Sequence, residues 1–331
     1  MLARRQIHRG SHRDSAQLPG LPQVARPANR LFLLIMTTQK TLSDAAIQKF
    51  WDEGFLVMPD AISAAQLAAL RNDLGGWIEE SREKTGAWGE LLDGRPRFDI
   101  AREHTPQNPL LRRVNNPSEI SAGYRDAMEN SRMTNAVAEL IGPNLAFHHC
   151  KLNLKQPGAD TEVGWHQDFS FTPHTNDDIV TALLFLDDVT DENGALRVSP
   201  GSHKEGQKSL WRNGKFTGYV DPETEADAER RAVSATGPAG TVCFMHTSLL
   251  HGSLPNRSAR SRSLYISVYR AADAFPLAPS PVPSSMEGRI LRGQSTHKVR
   301  LSVPEVELPD NIKTSSFFNI QAQARTTGMT M

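Results

Sequence analysis

The sequence predicts a mostly β protein with helical outworks, its centre a double-sheet jelly roll of the cupin type flanked by N-terminal helices. Three observations predict it. Helical periodicity is confined to residues before Pro143, and after it the pattern switches to a period of two. The second half is cut into short segments by turns such as Asp191-Glu192-Asn193-Gly194 and Ser199-Pro200-Gly201. The segment Ile179 to Leu186 is apolar apart from Thr181, as a strand covered on both faces must be. Many short strands with Gly, Pro and Asn turns, preceded by helices, argue for a double-sheet jelly roll.

The helical part opens at Ser43, an N-cap with Leu42 and Ile47 in staple positions, and Phe50 and Trp51 continue the apolar face. Gly54 ends that helix, and Phe55 to Met58 reads as a strand stopped by Pro59. Ser63 and Gln66 form a capping box before Leu67, Leu70, Leu74, Trp77 and Ile78, which recur at helical spacing. Residues 85 to 120 are expected to be irregular and to fold over a pocket. A third helix is predicted from about Thr134 to Ile141, stopped by Gly142.

In segment 148–155, His148, Cys150, Leu152 and Leu154 fall on one face and His149, Lys151, Asn153 and Lys155 on the other. That polar face fits the solvent side of an edge strand and the lining of a barrel cavity equally well. Further strands are expected at 195–198, 232–236, 241–244 and 263–269, while the segment opening with Pro276 to Pro283 is expected to wrap the barrel.

Residues 1–35 do not match the rest. Arg4, Arg5, Arg9, Arg13, Arg26 and Arg30 crowd there against Asp14 alone. A disordered extension or leader is the simpler expectation; a mitochondrial transit peptide is the other, against an otherwise cytoplasmic reading. Residues 36–331 are expected to form one domain. With Lys+Arg 37 against Asp+Glu 37, nothing argues for a nucleic-acid surface or a polybasic membrane patch, and a small-molecule partner is expected. The two cysteines, Cys150 and Cys243, indicate neither a disulfide framework nor a Cys-ligated zinc site. Oligomeric state is not readable.

The chemistry-bearing stretch is Trp165-His166-Gln167-Asp168. On a strand, His166 and Asp168 would share a face, offering an imidazole and a carboxylate to one ion. Two His and one carboxylate make the facial triad of non-haem Fe(II) oxygenases, which leaves coordination positions open. A second His is needed. His251 is followed by Gly252 and Ser253, where the backbone can approach the metal; His246 is the alternative. Arg260 and Arg262 share the face of Leu264, Ile266 and Val268, so an inward apolar face would carry an arginine with it. Phe171, Phe169 and Trp165 flank the ligands and are expected to line a substrate pocket, with barrel core as their other role. The stretch from Glu205 to Arg230, carrying Trp211, is a candidate lid.

From Ser43 to about Tyr269 the chain resembles the phytanoyl-CoA dioxygenase family of Fe(II)/2-oxoglutarate oxygenases. The matching pieces are Lys155-Gln156-Pro157-Gly158, Trp165-His166-Gln167-Asp168, Asn193-Gly194-Ala195-Leu196, Ser199-Pro200-Gly201-Ser202-His203 and His251-Gly252-Ser253. The resemblance implies a double-stranded β-helix with His166, Asp168 and His251 as iron ligands. It selects Arg262 over Arg260 for 2-oxoglutarate, with Ser253 beside it and Asn153 and Lys151 as further cosubstrate contacts. It also implies consumption of O2, release of succinate and CO2, and hydroxylation, since halogenating relatives lack the carboxylate that Asp168 supplies. A cupin-like zinc hydrolase or isomerase and a non-catalytic binding barrel are the competing expectations. No P-loop, dinucleotide-binding glycine motif or serine-nucleophile elbow is present.

Overall fold

Ser43 and Ser63 act as the sequence demands. In the computed structural model, which describes residues 40–158, 161–302, 305–309 and 321, Ser43 Oγ accepts from Ala46 N at 3.1 Å to start α1 (Asp44–Glu53). The predicted capping box starts α2 (Ala64–Ser81). Gly54 ends α1 at φ +83°, and a Cβ there would lie 2.5 Å from His203 Nδ1, so both its conformation and its neighbours require glycine. The reading of residues 1–35 lies outside the described residues.

Two stretches depart from expectation. The third helix begins earlier, as α5 (Arg132–Ile141), and is preceded by α3 (Pro117–Ile120) and α4 (Ala122–Asn130). The stretch 85–120, expected to be irregular, contributes β2 (Phe98–Ile100) and β3 (Leu111–Asn115). These strands are too short to show periodicity, and pairing with a neighbour holds them: β3 lies against β4 (Leu145–Lys155) with Arg113 opposite Asn153.

The remaining strands are β1 (Phe55–Met58), β5 (Val163–His166), β6 (Ile179–Phe185), β7 (Leu196–Val198) and the small hairpin β8 (Trp211–Arg212) and β9 (Lys215–Phe216). After α6 (Pro222–Arg230) follow β10 (Val233–Ala235), β11 (Val242–His246), β12 (His251–Ser253), β13 (Arg262–Ala271) and β14 (Ile290–Arg292). The candidate lid is therefore a hairpin and a helix rather than an open loop. An eight-stranded sheet runs β1-β11-β6-β13-β4-β3-β2 with β14 also on β4, and a four-stranded sheet runs β10-β7-β12-β5. All pairs are antiparallel.

Alternation divides the larger sheet. Val180, Ala182 and Leu184 of β6 face a core shared with Phe50, Leu70, Tyr124 and Val137 of the helices, while Leu183 and Phe185 face Leu196 and Val198 of the smaller sheet. The same parity sends Tyr265 and Tyr269 of β13 outward to the helices, where their hydroxyls donate to Tyr124 O and Met128 O. It turns Arg262, Leu264, Ile266 and Val268 inward. The C-terminal segment does wrap the barrel: Asn116 Nδ2 donates to Pro283 O at 2.8 Å, β14 pairs with β4, and Arg300 bridges Asp178 and Asp273. No described helix is long and apolar enough to cross a membrane.

Candidate metal centre and cosubstrate cavity

His166 ends β5 and His251 begins β12, directly opposite each other across the smaller sheet. Gly252 allows this pairing, since a Cβ there would meet Val163 O at 2.9 Å; the close approach is to β5 rather than to a metal. Asp168 does not continue the strand. It opens a 3-10 turn (Asp168–Ser170), and this turn, rather than a two-residue strand repeat, brings its carboxylate beside the imidazoles. Asp168 Oδ1 stands 3.7 Å from His166 Nε2 and 3.6 Å from His251 Nε2. One donor atom from each residue lies within 4.8 Å of the others, a group able to hold a metal ion.

Each donor is held by a partner of its own. His166 Nδ1 lies 2.8 Å from Gly164 O and His251 Nδ1 lies 2.9 Å from Leu249 O. A carbonyl accepts only, so each ring carries its proton on Nδ1 and presents an unprotonated Nε2 as its ligand atom. Thr181, the polar residue in an otherwise apolar strand, donates to Asp168 Oδ2 at 2.8 Å, leaving Oδ1 toward the histidines. Gln167, fully buried between the ligands, donates to Ser248 O and accepts from Lys208 N, tying the turn to two loops.

The donors open on a cavity of about 110 Å³ between the sheets. The polar face of β4 points into it, bringing His149, Lys151, Asn153 and Lys155 to its wall, with Arg113 alongside from β3. At one end Arg262, only 3% exposed, donates through Nε and Nη2 to Gly194 O at 3.0 and 2.8 Å. Lys155 Nζ donates there to Ser253 Oγ at 2.8 Å. Arg260 is exposed, and His246 lies away from the cavity, where Ser248 N donates to its Nδ1.

The model of the family described as phytanoyl-CoA dioxygenase matches residues 50–264. The chain belongs to this family. A probable alpha-ketoglutarate-dependent hypophosphite dioxygenase from Stutzerimonas stutzeri is 32% identical over 267 residues, covering 79% of this chain and 89% of that protein. An L-proline trans-4-hydroxylase from Streptomyces griseoviridis is 28% identical, covering 75% and 93%. The structure of EctD from S. alaskensis with 2-oxoglutarate and 5-hydroxyectoine shares the fold at TM-score 0.58 and 24% identity, covering 80% of this chain and 89% of that one. Membership makes this phytanoyl-CoA dioxygenase family protein a 2-oxoglutarate-dependent non-haem iron dioxygenase, and the zinc hydrolase and passive barrel readings give way to it.

The donor set fits ferrous iron: two neutral imidazoles and one carboxylate leave coordination positions open. Burial holds the His251 imidazole down at about 4, which keeps it a neutral donor. Burial alone would raise the Asp168 carboxyl; the neighbouring His251 and His166 and the charge of Lys151 outweigh it and hold the group well below the usual carboxylate range. Burial lowers Lys155 to about 6, which leaves its amine mostly neutral at pH 7, and lowers Arg262 to about 10, a buried cation that an incoming anion would stabilise.

Of the three flanking aromatics, Phe171 lines the cavity, edge-on to His166 at 5.6 Å. Trp165 points to the opposite face of β5 and packs with Leu210, Val220 and Leu250; Phe169 packs on Ile179 and Val268. Lys155, His149, Arg113 and Thr181 line the cavity without having been singled out from the sequence. For Lys155 and His149 the signal was shared strand parity with Asn153, and for Thr181 its polarity within an apolar run.

Proposed function

We propose that His166, Asp168 and His251 hold Fe(II), that Arg262 with Ser253, Lys155 and Asn153 holds 2-oxoglutarate, and that the enzyme hydroxylates a small molecule, releasing succinate and CO2. The observation that carries this reading is the convergence of three ligand atoms on a cavity whose far end holds a buried arginine. Bound iron, 2-oxoglutarate and O2 supply the oxidising chemistry. The chain's own part is placement and exclusion. Arg262 presents a planar fork that matches a carboxylate, Lys155 adds a second cation, and Ser253 Oγ orients that lysine. Asn153 Oδ1, on the same wall, is buried and meets no hydrogen-bond partner among the described residues. Phe171 and Val268 keep water from the open side of the donors.

Anaerobic addition of Fe(II) and 2-oxoglutarate tests it: a visible metal-to-ligand charge-transfer band is expected, absent in Asp168→Ala and weakened in Arg262→Gln. Absence of the band in the wild-type protein would sink the assignment. Hypophosphite, L-proline and ectoine, for which relatives are named, are the first substrates to offer in an assay of coupled succinate release.

A further inference from the structure

The cavity contains more positive charge than its iron and cosubstrate can use. Arg113, Lys151 and Arg262, joined by Lys155 once a bound anion charges it, line it against the single carboxylate of Asp168. Ferrous iron adds two positive charges and 2-oxoglutarate two negative ones, so loading the site removes none of the excess. Resting on the assignment of Arg262 and Lys155 to 2-oxoglutarate, we propose that Arg113 and Lys151 form a second anion site and that the substrate is a small anion.

Arg113 is 5% exposed, and its Nη1 meets no hydrogen-bond partner among the described residues. Its Nε donates to the neutral oxygen of Asn115 at 2.8 Å. Asp99, opposite Arg113 in the register of β2 and β3, is engaged by Arg112 at 2.8 Å. A buried guanidinium with an idle N–H and no anion of its own is costly, and an incoming anion removes that cost. Lys151 stands on the same wall and has no ion-pair partner among the described residues; its charge is felt by both Asp168 and His149. His149 Nε2, also buried and unpaired, adds a third uncommitted atom.

Spacing separates this group from the cosubstrate end. Lys151, which the family resemblance offers as a cosubstrate contact, is set four residues and about 13 Å of backbone from Lys155, and is assigned to the substrate instead. The substrate would thus place an anionic group on Arg113 and Lys151 and its oxidisable centre toward the donors, with Phe171 and Pro281 closing the apolar side.

The test uses the full chain with Fe(II) and saturating 2-oxoglutarate, without oxygen. Acetate, formate and inorganic phosphite are titrated by calorimetry and by displacement of the charge-transfer band, with acetamide as the neutral counterpart. Saturable binding of at least one anion and none of acetamide is expected. Arg113→Gln and Lys151→Met should each weaken it at least about tenfold, while the 2-oxoglutarate affinity of each stays within about threefold of wild type. Arg113→Lys, which keeps the charge and guards against a folding failure, should restore part of the binding. No saturable anion binding in the wild type, or equal binding in all variants, would overturn the proposal. So would a loss of 2-oxoglutarate affinity in Arg113→Gln matching that of Arg262→Gln. If Arg262→Gln leaves 2-oxoglutarate binding intact while the anion results come out as expected, the cosubstrate assignment falls and the anion site stands.

Discussion

The two ends of the cavity come from different sheets and meet opposite electrostatic demands. The metal end is built on the short strands β5 and β12, and every donor there is already fixed: His166 by Gly164 O, His251 by Leu249 O and Asp168 by Thr181. The cation end is built on the long strands β4 and β13 of the larger sheet. Among the described residues its basic groups donate to neutral oxygens: Gly194 O for Arg262, Ser253 O and Oγ for Lys155. One end is complete before its ion arrives, and the other is completed by its ligand. Preorganisation suits a metal, whose affinity depends on ligand geometry, while idle cations suit a diacid that enters and leaves as succinate.

The comparison breaks most sharply at Asp168. Asp168→Ala removes the one anionic ligand, and iron affinity is expected to fall by more than about 100-fold, since loss of a mere supporting partner already costs 10 to 100-fold. Iron titration followed by equilibrium dialysis measures it. Arg262→Gln acts on the other end. There the KM for 2-oxoglutarate should rise about 10 to 100-fold, the worth of a charge-assisted pair, with iron affinity nearly unchanged. Equal loss of iron and cosubstrate in that variant would show that the two ends are not separable. Thr181→Val lies between them in kind: it leaves the ligand and removes its support, and about tenfold weaker iron binding is expected.

How much of this was legible follows from how local each signal is. The His-x-Asp pair, the distal His-Gly-Ser and the arginine on β13 are contiguous in sequence, and family resemblance raised them above coincidence. The inward turn of the β4 polar face was not decidable from β4 itself, because alternation gives two faces without saying which meets solvent. Pairing with β13 and β3 decides it. Arg113 was out of reach: Leu-Arg-Arg-Val-Asn has no alternation to read, and only its register against Asn153 places it in the cavity. Asp168 was found for a partly wrong reason, since a 3-10 turn and not a strand repeat delivers its carboxylate.

Lys155 sharpens the picture of a ligand-completed end. With burial first and Arg262 second holding it down at about 6, the amine is mostly neutral at pH 7, well below its ordinary value near 10.5. A carboxylate beside it favours the ammonium form, so 2-oxoglutarate binding at pH 7 to 8 should take up a fraction of a proton. Calorimetry in buffers of different ionisation enthalpy reads this directly. Uptake should fade as pH falls below 6, where the amine is already charged, and should vanish in Lys155→Met. Proton release, or uptake that survives the substitution, would mean the cosubstrate carboxylate lies elsewhere.

The smallest effect tests whether the two faces of the larger sheet are as independent as strand parity makes them. Tyr265 follows the inward-facing Leu264 by one residue and is fully buried on the helical side, its hydroxyl donating to Tyr124 O at 3.0 Å. Tyr265→Phe keeps the ring and deletes the donor. Tyr124 O lies within α4, where it also has its intrahelical role, so the cost should be near the ordinary worth of one hydrogen bond, about 1 kcal/mol of unfolding free energy. Neither the iron affinity nor the KM for 2-oxoglutarate should move, because nothing on the outward face of β13 touches the cavity wall. A denaturation curve shifted by that amount, beside unchanged charge-transfer titrations, is the expected pair of results. A change in the titrations would mean that β13 transmits strain from its helical face to Arg262, the strand's first residue and the start of its inward face.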